Sequence, residues 1–336
     1  MQLTFAGFHQ PKDGYGYATI KIAAALLKDA PETTVLNLGV PVLDEAQRWE
    51  TYAPTVALCT PDWLPLIDTN GAPLVSYTMF EATRLPAGWV EKLNRYAVLV
   101  LVPCAWCKTI FEANGVTRPI EIIKWGIDPQ DYFPLKRRHK GRPYTFLWSG
   151  TPDGRKGWSI AYTAFRRAFG DRKDVRLVMH FRQMPPGIKG VLDDNVQLIE
   201  GLFDLPKLRE MLQDADCFVF PSRGEGWGLP PREAAATGLP VIATDYGGLA
   251  EDIYAWALPI TTKGMSIADY GPEEWGDLGY WAEPDGAVLE GWLHWCVEHP
   301  EDAADFGRRA ASTMARTPWE RTAREIVEVL RCRLGL

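Results

Sequence analysis

No stretch of the 336 residues is apolar for long enough to span a bilayer; the longest such run, Ala97 to Pro103, is the length of a strand. An excess of basic charge is missing too. Thirty-six Lys and Arg face 43 Asp and Glu, a net charge of −7, so bulk electrostatics cannot hold a long polyanion. A nucleic acid or an anionic membrane would need a local basic patch. Cysteine is scarce, with six residues scattered and only Cys104 and Cys107 close together. The segment Met1 to Gly7 lacks the basic flank and apolar core of a secretion signal. These absences lead to the expectation of a cytoplasmic protein with reduced thiols and no integral membrane contact. Short-period repeats and low-complexity tracts are absent as well. A chain that is 46% hydrophobic and 24% charged is neither disordered nor fibrous. At roughly 150 residues per domain, its length calls for two domains.

What is present is an alternation of short β-rich runs with helix-like segments, the pattern of doubly wound α/β domains. Leu3 to Gly7 reads as a strand, His9 to Tyr17 as a loop and Ala18 to Leu27 as a helix. Further strands are expected at Val35–Leu38, Val56–Leu58, Leu74–Tyr77, Val98–Val102 and Glu121–Ile123, with helices near Trp89–Arg95 and Cys104–Ala113. The periodicity stops at the polar run Lys136 to Arg142, which reads as a solvated linker rather than a contact for nucleic-acid phosphates. A second α/β series follows, from the strand Tyr144–Trp148 to a terminal helix over Trp319–Leu334. Most of the 14 Trp are expected in the core, with Trp275, Trp281, Trp292 and Trp295 packing the second domain.

Chemistry concentrates in Phe218 to Glu251. A buried strand ends at Pro221, and the glycine-rich Ser222 to Gly228 lets backbone amides approach a ligand. Pro230 and Pro231 suit the first turn of a helix, and Gly238 with Pro240 suits its end. Amides at a helix start form an anion site. Glu225 and Glu233, eight apart, offer carboxylates that match the vicinal diol of a ribose. Phosphate on the amides and sugar hydroxyls on the glutamates together describe a nucleotide-sugar pocket. Strand, glycine loop and helix also recur widely in α/β proteins, and a Glu at a helix start also compensates the dipole, so spacing alone leaves both readings open.

The sequence resembles the retaining GT-B glycosyltransferases, the group that includes bacterial mannosyl- and glucosyltransferases. Their E-x7-E signature is matched by Glu225 and Glu233, and the Gly-Gly turn that follows by Gly247-Gly248. Val102 to Trp106 with Ala113 to Val116, Trp125 to Asp128, Arg155-Lys156-Gly157 and the terminal Trp319 helix fall in the family's order. The landmarks cover roughly residues 75 to 335, and the first 70 residues match weakly. The resemblance implies an α/β GT-B fold of two Rossmann-like doubly wound domains facing a central cleft. Residues 1–135 would form the acceptor-binding domain, 136–143 the linker, 144–317 the nucleotide-sugar domain and 318–336 a helix crossing back to the first domain.

Carried over residue by residue, Glu233 would bind the ribose of the nucleotide. Glu225 and the amides of Gly226, Trp227, Gly228 and Leu229 would hold the transferred sugar and the diphosphate, with Lys156 neutralising the leaving group. Family members place an Arg where this chain has Thr151, and Arg155 is the replacement charge at hand. Where the family often has a His after the fourth strand, this chain has Glu81, which would hydrogen-bond the reacting sugar or the acceptor. Gly14 and Gly16 lie in a loop that the family keeps near the acceptor and the diphosphate.

The implied activity is a metal-independent transfer, with retention, of a hexose from a nucleoside-diphosphate sugar to an unidentified hydroxyl. No cofactor is called for beyond that co-substrate. The acceptor stays open among lipid-linked or polysaccharide sugars, a small molecule, a protein and a modified DNA base of the viral, hydroxymethyl-pyrimidine type. A non-catalytic nucleotide-sugar-binding protein and a sugar-nucleotide epimerase are the rivals. Asp214-Ala215-Asp216 has the form of an Asp-x-Asp metal site but sits at an ordinary turn. Cys104 and Cys107 lack a second Cys or His pair and read as buried thiols on one helix turn. His9, just after the first strand, is a further acceptor-site candidate.

Overall fold

The computed structural model describes residues 2–11, 13–39, 47–138, 141–185, 187–188 and 193–336. His139 and Lys140 of the expected linker lie outside the described residues, as do Lys12 of the first loop and parts of the loop 182–190. Contacts divide the chain into two units: residues 1–126 with 271–279 and 317–336, and residues 127–270 with 280–316. The division falls nine residues before the polar run at 136, and residues 271–279 group with the first unit.

In the first unit, six parallel strands stand in the order β2-β1-β4-β6-β7-β8. They are β1 (Thr4–Gly7), β2 (Thr34–Asn37), β4 (Thr55–Leu58), β6 (Leu74–Tyr77), β7 (Leu99–Val102) and β8 (Ile120–Ile122). A small pair, β3 (Trp49–Glu50) and β5 (Ile67–Asp68), lies apart. Strands β1, β4, β6 and β7 are buried along their whole lengths, as both-face coverage of a parallel sheet requires. The covering helices are α1 (Gly14–Asp29), α2 (Trp89–Tyr96), α3 (Ala105–Ala113) and, on α1, the terminal α9 (Trp319–Leu334). The start of α9 also packs tightly on Gly126, where a side chain would meet the Trp319 backbone nitrogen at 2.5 Å.

The first helix corrects the expectation of a loop through Tyr17. Asp13 adopts an extended backbone and its carboxylate accepts from the Gly16 amide at 2.6 Å. This N-cap starts the helix four residues before the apolar period begins. Trp275 is a second correction. It lies in the first unit, edge-on to Phe80 and Trp89 at 5.9 and 5.7 Å, and not with the second-domain core. Cys104 and Cys107 are buried and in no disulfide, and the Cys104 sulfur caps α3.

The second unit holds six parallel strands in the order β11-β10-β9-β12-β13-β14. They are β9 (Tyr144–Gly150), β10 (Val175–Phe181), β11 (Val196–Glu200), β12 (Cys217–Phe220), β13 (Val241–Thr244) and β14 (Leu258–Ile260). Its helices are α4 (Trp158–Phe169), α5 (Leu205–Asp214), α6 (Leu229–Ala236), α7 (Gly286–Glu298) and α8 (Pro300–Met314); a hairpin of β15 (Thr262–Ile267) and β16 (Tyr280–Pro284) completes the unit. Phe146, Trp148, Phe165, Phe181, Val219 and Leu293 are among its core residues.

In the polar run before β9, Lys136, Arg138 and Gly141 are exposed as expected, but Arg137 and Arg142 are half-buried. Arg142 grips Asp216 with both ends of its guanidinium, at 2.6 and 3.0 Å, and Asp216 also accepts from the Thr145 amide at 2.8 Å. Arg138 pairs with Asp214 at 3.2 Å. A carboxylate as buried as Asp216 must be paired, and Arg142 pairs it. The same bonds give the Asp-x-Asp triplet a structural use. No helix among the described residues is long and apolar enough to cross a membrane.

Candidate functional site

The strand order of the second unit reverses between β9 and β12, which are hydrogen-bonded neighbours. From β9 the chain winds one way to β10, and from β12 the other way to β13. Loops leaving such a switch point diverge and open a crevice at the carboxyl ends of the strands. Both sequence-selected segments sit there: residues 151–157 follow β9, and residues 221–228 follow β12.

The two loops are zipped together. The Arg223 amide donates to the Arg155 carbonyl at 2.7 Å, and the Ser222 hydroxyl reaches the same carbonyl at 3.1 Å. Asp153 caps the short turn Gly154–Lys156 by accepting from the Lys156 amide at 3.1 Å. The Thr151 hydroxyl donates to the Asp153 carboxylate. Thr151 thus stabilises the loop that carries Lys156. Gly157 has φ of +66°, and a Cβ there would lie 1.9 Å from the Pro221 carbonyl oxygen, so only glycine allows the loops this close.

Lys156, Arg155 and Glu225 meet at the centre. The Lys156 Nζ lies 2.7 Å and the Arg155 Nη1 3.3 Å from Oε1 of Glu225, which also accepts from the Ser222 hydroxyl at 2.7 Å. All three are largely buried. Arg155 is further fixed by a bond to the Gly224 carbonyl at 2.8 Å and by the Tyr270 ring, 5.3 Å from its guanidinium. Burial by itself would raise the Glu225 carboxyl, but Lys156 and Arg155 outweigh it and hold the group below its ordinary value of 4.5. Burial and the neighbouring Arg155 pull the Lys156 ammonium below its ordinary value, with Glu225 opposing.

A pH dependence follows. A carboxyl depressed in the folded state stabilises the protein above its unfolded value and loses that contribution as pH falls through its folded value. The stability gap between wild type and Glu225→Gln, measured by urea unfolding, is expected to be full at pH 6–7 and to close below pH 4.5. A gap that stays constant down to pH 3 overturns the ionised pairing.

Behind Glu225, the glycine-rich loop rests on the Gly247-Gly248 turn. The Gly248 amide donates to the Glu225 carbonyl at 2.7 Å, and a side chain at Gly248 would meet the Gly226 carbonyl oxygen at 2.2 Å. Gly228 caps α6 with φ of +83°. Prolines 230 and 231 carry no amide hydrogen, so of the first three positions of α6 only Leu229 can donate to an anion. The loop amides and the cations therefore carry more of any anion site than the helix start does.

Arg232 is the residue the sequence reading missed. Its guanidinium is 2% exposed, 3.9 Å from the Trp227 ring and 4.7 Å from the Trp256 ring. It pairs with Asp252 at 2.7 Å and donates to the carbonyls of Gly248 at 3.1 Å and Trp227 at 3.3 Å. One buried cation thus ties the motif loop to the Gly-Gly turn. The signal was a charged residue at a position where the small residues around it (Ala234, Ala235 and Ala236) are all buried. Glu233, the next residue, is half-buried and accepts a hydrogen bond from the Tyr132 hydroxyl. Burial, with Glu233 adding to it, pushes the Tyr132 phenol well above its ordinary value.

Residues 143–273 match the family model described as group 1 glycosyl transferases. A D-inositol 3-phosphate glycosyltransferase of Arthrobacter sp. (strain FB24) is 33% identical over 237 residues, 66% of this chain and 52% of that one. Its counterpart in Paenarthrobacter aurescens (strain TC1) is 28% identical over 63% of this chain and 51% of that one. The chain therefore spans about half the length of these curated relatives. Among solved structures, Anabaena Alr3699/HepE in complex with UDP and glucose superposes over 98% of this chain and 99% of that one, with a TM-score of 0.68 at 16% identity. The chain has the GT-B fold, and its residues 143–273 resemble a group 1 glycosyl transferase domain.

The remaining expected site residues of this GT-B protein lie in its other unit. Gly14 and Gly16 are in the first turn of α1. A side chain at Gly16 would sit 2.1 Å from the Gln10 carbonyl oxygen, a packing reason for glycine there, whereas Gly14 faces open space. Glu81 follows β6 and is half-buried. Its charge acts on the Tyr15 phenol, which burial raises first and which hydrogen-bonds with Thr78 at 3.3 Å. Glu81 acts likewise on the Cys107 thiol. The structure thus gathers Lys156, Arg155, Glu225, Glu233 and the 226–229 loop in the second GT-B domain, and places Gly14, Gly16 and Glu81 in the first.

Proposed function

We propose that the protein is a retaining, metal-independent glycosyltransferase that moves a hexose from a nucleoside-diphosphate sugar to an acceptor hydroxyl. The observation that carries this reading is the cluster of Lys156, Arg155 and Glu225 at the switch point of the second sheet, with the glycine-bearing loop 226–229 following Glu225 in the chain. Cleavage of a glycosyl–diphosphate bond builds negative charge on the leaving phosphate. Two cations and a glycine-exposed row of amides, preorganised before the substrate arrives, are suited to absorb it. In this reading a diphosphate exchanges with Glu225 for Lys156 and Arg155, and Glu225 turns to hydroxyls of the transferred sugar. Glu233 accepts from the ribose diol. The likeness to a chain crystallised with UDP and glucose supports a nucleotide-sugar donor. The acceptor class stays that of a hydroxyl compound without further assignment.

The test is a thermal-shift and calorimetric panel of nucleoside diphosphates and their sugars, followed by an assay of nucleoside diphosphate release. A ligand at 100 times its dissociation constant is expected to stabilise the protein by about 2.7 kcal/mol. Glu233→Ala is expected to remove most of that shift. Binding without release under a broad acceptor panel overturns the catalytic reading, and interconversion of the donor sugar without any acceptor overturns the transfer.

A further inference from the structure

A second polar device lines the same domain and lies outside the roles given above. Ser149, at the end of β9, is the register partner of His180 on β10. The Ser149 hydroxyl lies 2.8 Å from His180 Nδ1, and His180 Nε2 lies 2.9 Å from the Gly201 carbonyl oxygen. A carbonyl oxygen only accepts, so Nε2 carries a hydrogen, and burial, which lowers the imidazole pKa, favours the neutral ring with Nδ1 bare. Nδ1 therefore accepts a hydrogen bond from the Ser149 hydroxyl. His180 is 2% exposed and its ring stacks on Phe203 at 4.6 Å, so this arrangement has little freedom to rotate. Held this way, Ser149 turns only lone pairs outward.

Ser149 lines a cavity of about 40 Å³ whose wall also includes Tyr132, Leu147, Phe218, Pro230 and Glu233. Its polar groups share one character. Glu233 is a carboxylate, Tyr132 has spent its hydrogen on Glu233, and Ser149 has spent its own on His180. An apolar cavity with an acceptor-only polar set rejects an acceptor and rewards a donor, because a lone pair left unmatched in such a place costs about 1–3 kcal/mol. The volume suits a hydroxyl or an amine at the edge of a larger molecule rather than a whole ring.

We infer that Ser149, oriented by His180, is a specificity residue that accepts a hydrogen bond from the nucleoside part of the sugar donor. The donating group is a ribose hydroxyl or an exocyclic amine of the base. This rests on the nucleotide-sugar reading above. It adds to that reading a residue and a selection rule: nucleosides lacking the donating group bind less tightly.

The experiment measures, by calorimetry on the full chain, the affinities of uridine, guanosine, adenosine and cytidine diphosphates for wild type and Ser149→Ala. The 2′-deoxy and 3′-deoxy forms of the tightest binder are measured alongside. Melting temperature without ligand verifies that the variant is folded. Loss of one hydrogen bond is expected to weaken the tightest diphosphate by about 3–10-fold. If the partner is a sugar hydroxyl, the matching deoxy compound binds wild type weakly and Ser149→Ala adds nothing further. If it is a base amine, the deoxy forms suffer the same loss on mutation, and the preference for amino-bearing bases over uracil falls. A purely packing role for Ser149 would weaken every compound alike, and that outcome overturns the proposal. So does an unchanged affinity for all of them. Wild type that binds no nucleoside diphosphate at all refutes the donor reading itself, which separates the two failures.

Discussion

Lys156→Ala is expected to slow nucleoside diphosphate release by about 10²–10³-fold, the usual effect of removing one preorganised donor from a developing negative charge. That factor corresponds to about 2.7–4 kcal/mol of transition-state stabilisation. The prediction follows from where the ammonium is held: buried, 2.7 Å from Glu225, on a loop locked by Asp153 and by the approach of Gly157 to Pro221. A lysine so placed has surrendered most of its hydration in advance, so a phosphate that replaces Glu225 meets a cation with little reorganisation left to make. The loss is expected mainly in kcat, because the charge on the leaving group grows during bond cleavage. Lys156→Arg is expected to restore only part of the rate, since a planar fork does not fit the space of a point charge. A Lys156→Ala rate within threefold of wild type removes the cluster from the chemistry.

The largest stability effect is expected from Arg232→Met. Breaking a buried ion pair on one side costs about 3–5 kcal/mol. The low end applies here because the Asp252 side chain keeps 29% of its surface and retains a bond from the Trp256 indole at 2.8 Å. Two further losses add to it: the carbonyls of Trp227 and Gly248 lose their donor, and two indole faces lose a cation. For a domain of this size, about 3 kcal/mol lowers the melting temperature by about 6–12 °C. The double variant Arg232→Met with Asp252→Asn is expected to recover part of it, since the stranded charge is then gone. Differential scanning calorimetry decides the matter, and a shift below 2 °C would mean that this cation does not hold the loop to the Gly-Gly turn.

Much of the architecture was legible because parallel strands buried on both faces leave continuous apolar runs. Leu99–Val102 and Cys217–Phe220 stand out in the sequence and are fully buried in the fold. Weaker strands escaped. Val196–Glu200 has no fully buried position, and Thr262–Ile267 is exposed along nearly all its length, so neither shows the continuous burial of the central strands. Trp275 misled for another reason: an aromatic residue announces that it will be buried without naming the core that will bury it. The burial of Arg142 was hidden because its partner, Asp216, lies 74 residues further on.

By itself, the sequence determined the two α/β series, the glycine loop before α6 and the identity of Glu225, Glu233 and Lys156, since local propensity, turn chemistry and residue type are properties of short segments. Only the tertiary structure decided which of these groups meet. Lys156 and Glu225 are 69 residues apart along the chain and 2.7 Å apart in space, because the order of strands β9 and β12 puts their loops side by side. The enclosure of Arg232 between two indoles and the one-way polarity of Ser149 against His180 belong to the same class. Each depends on long-range pairing, and on which hydrogen-bonding groups are left to find one another once the backbone is packed.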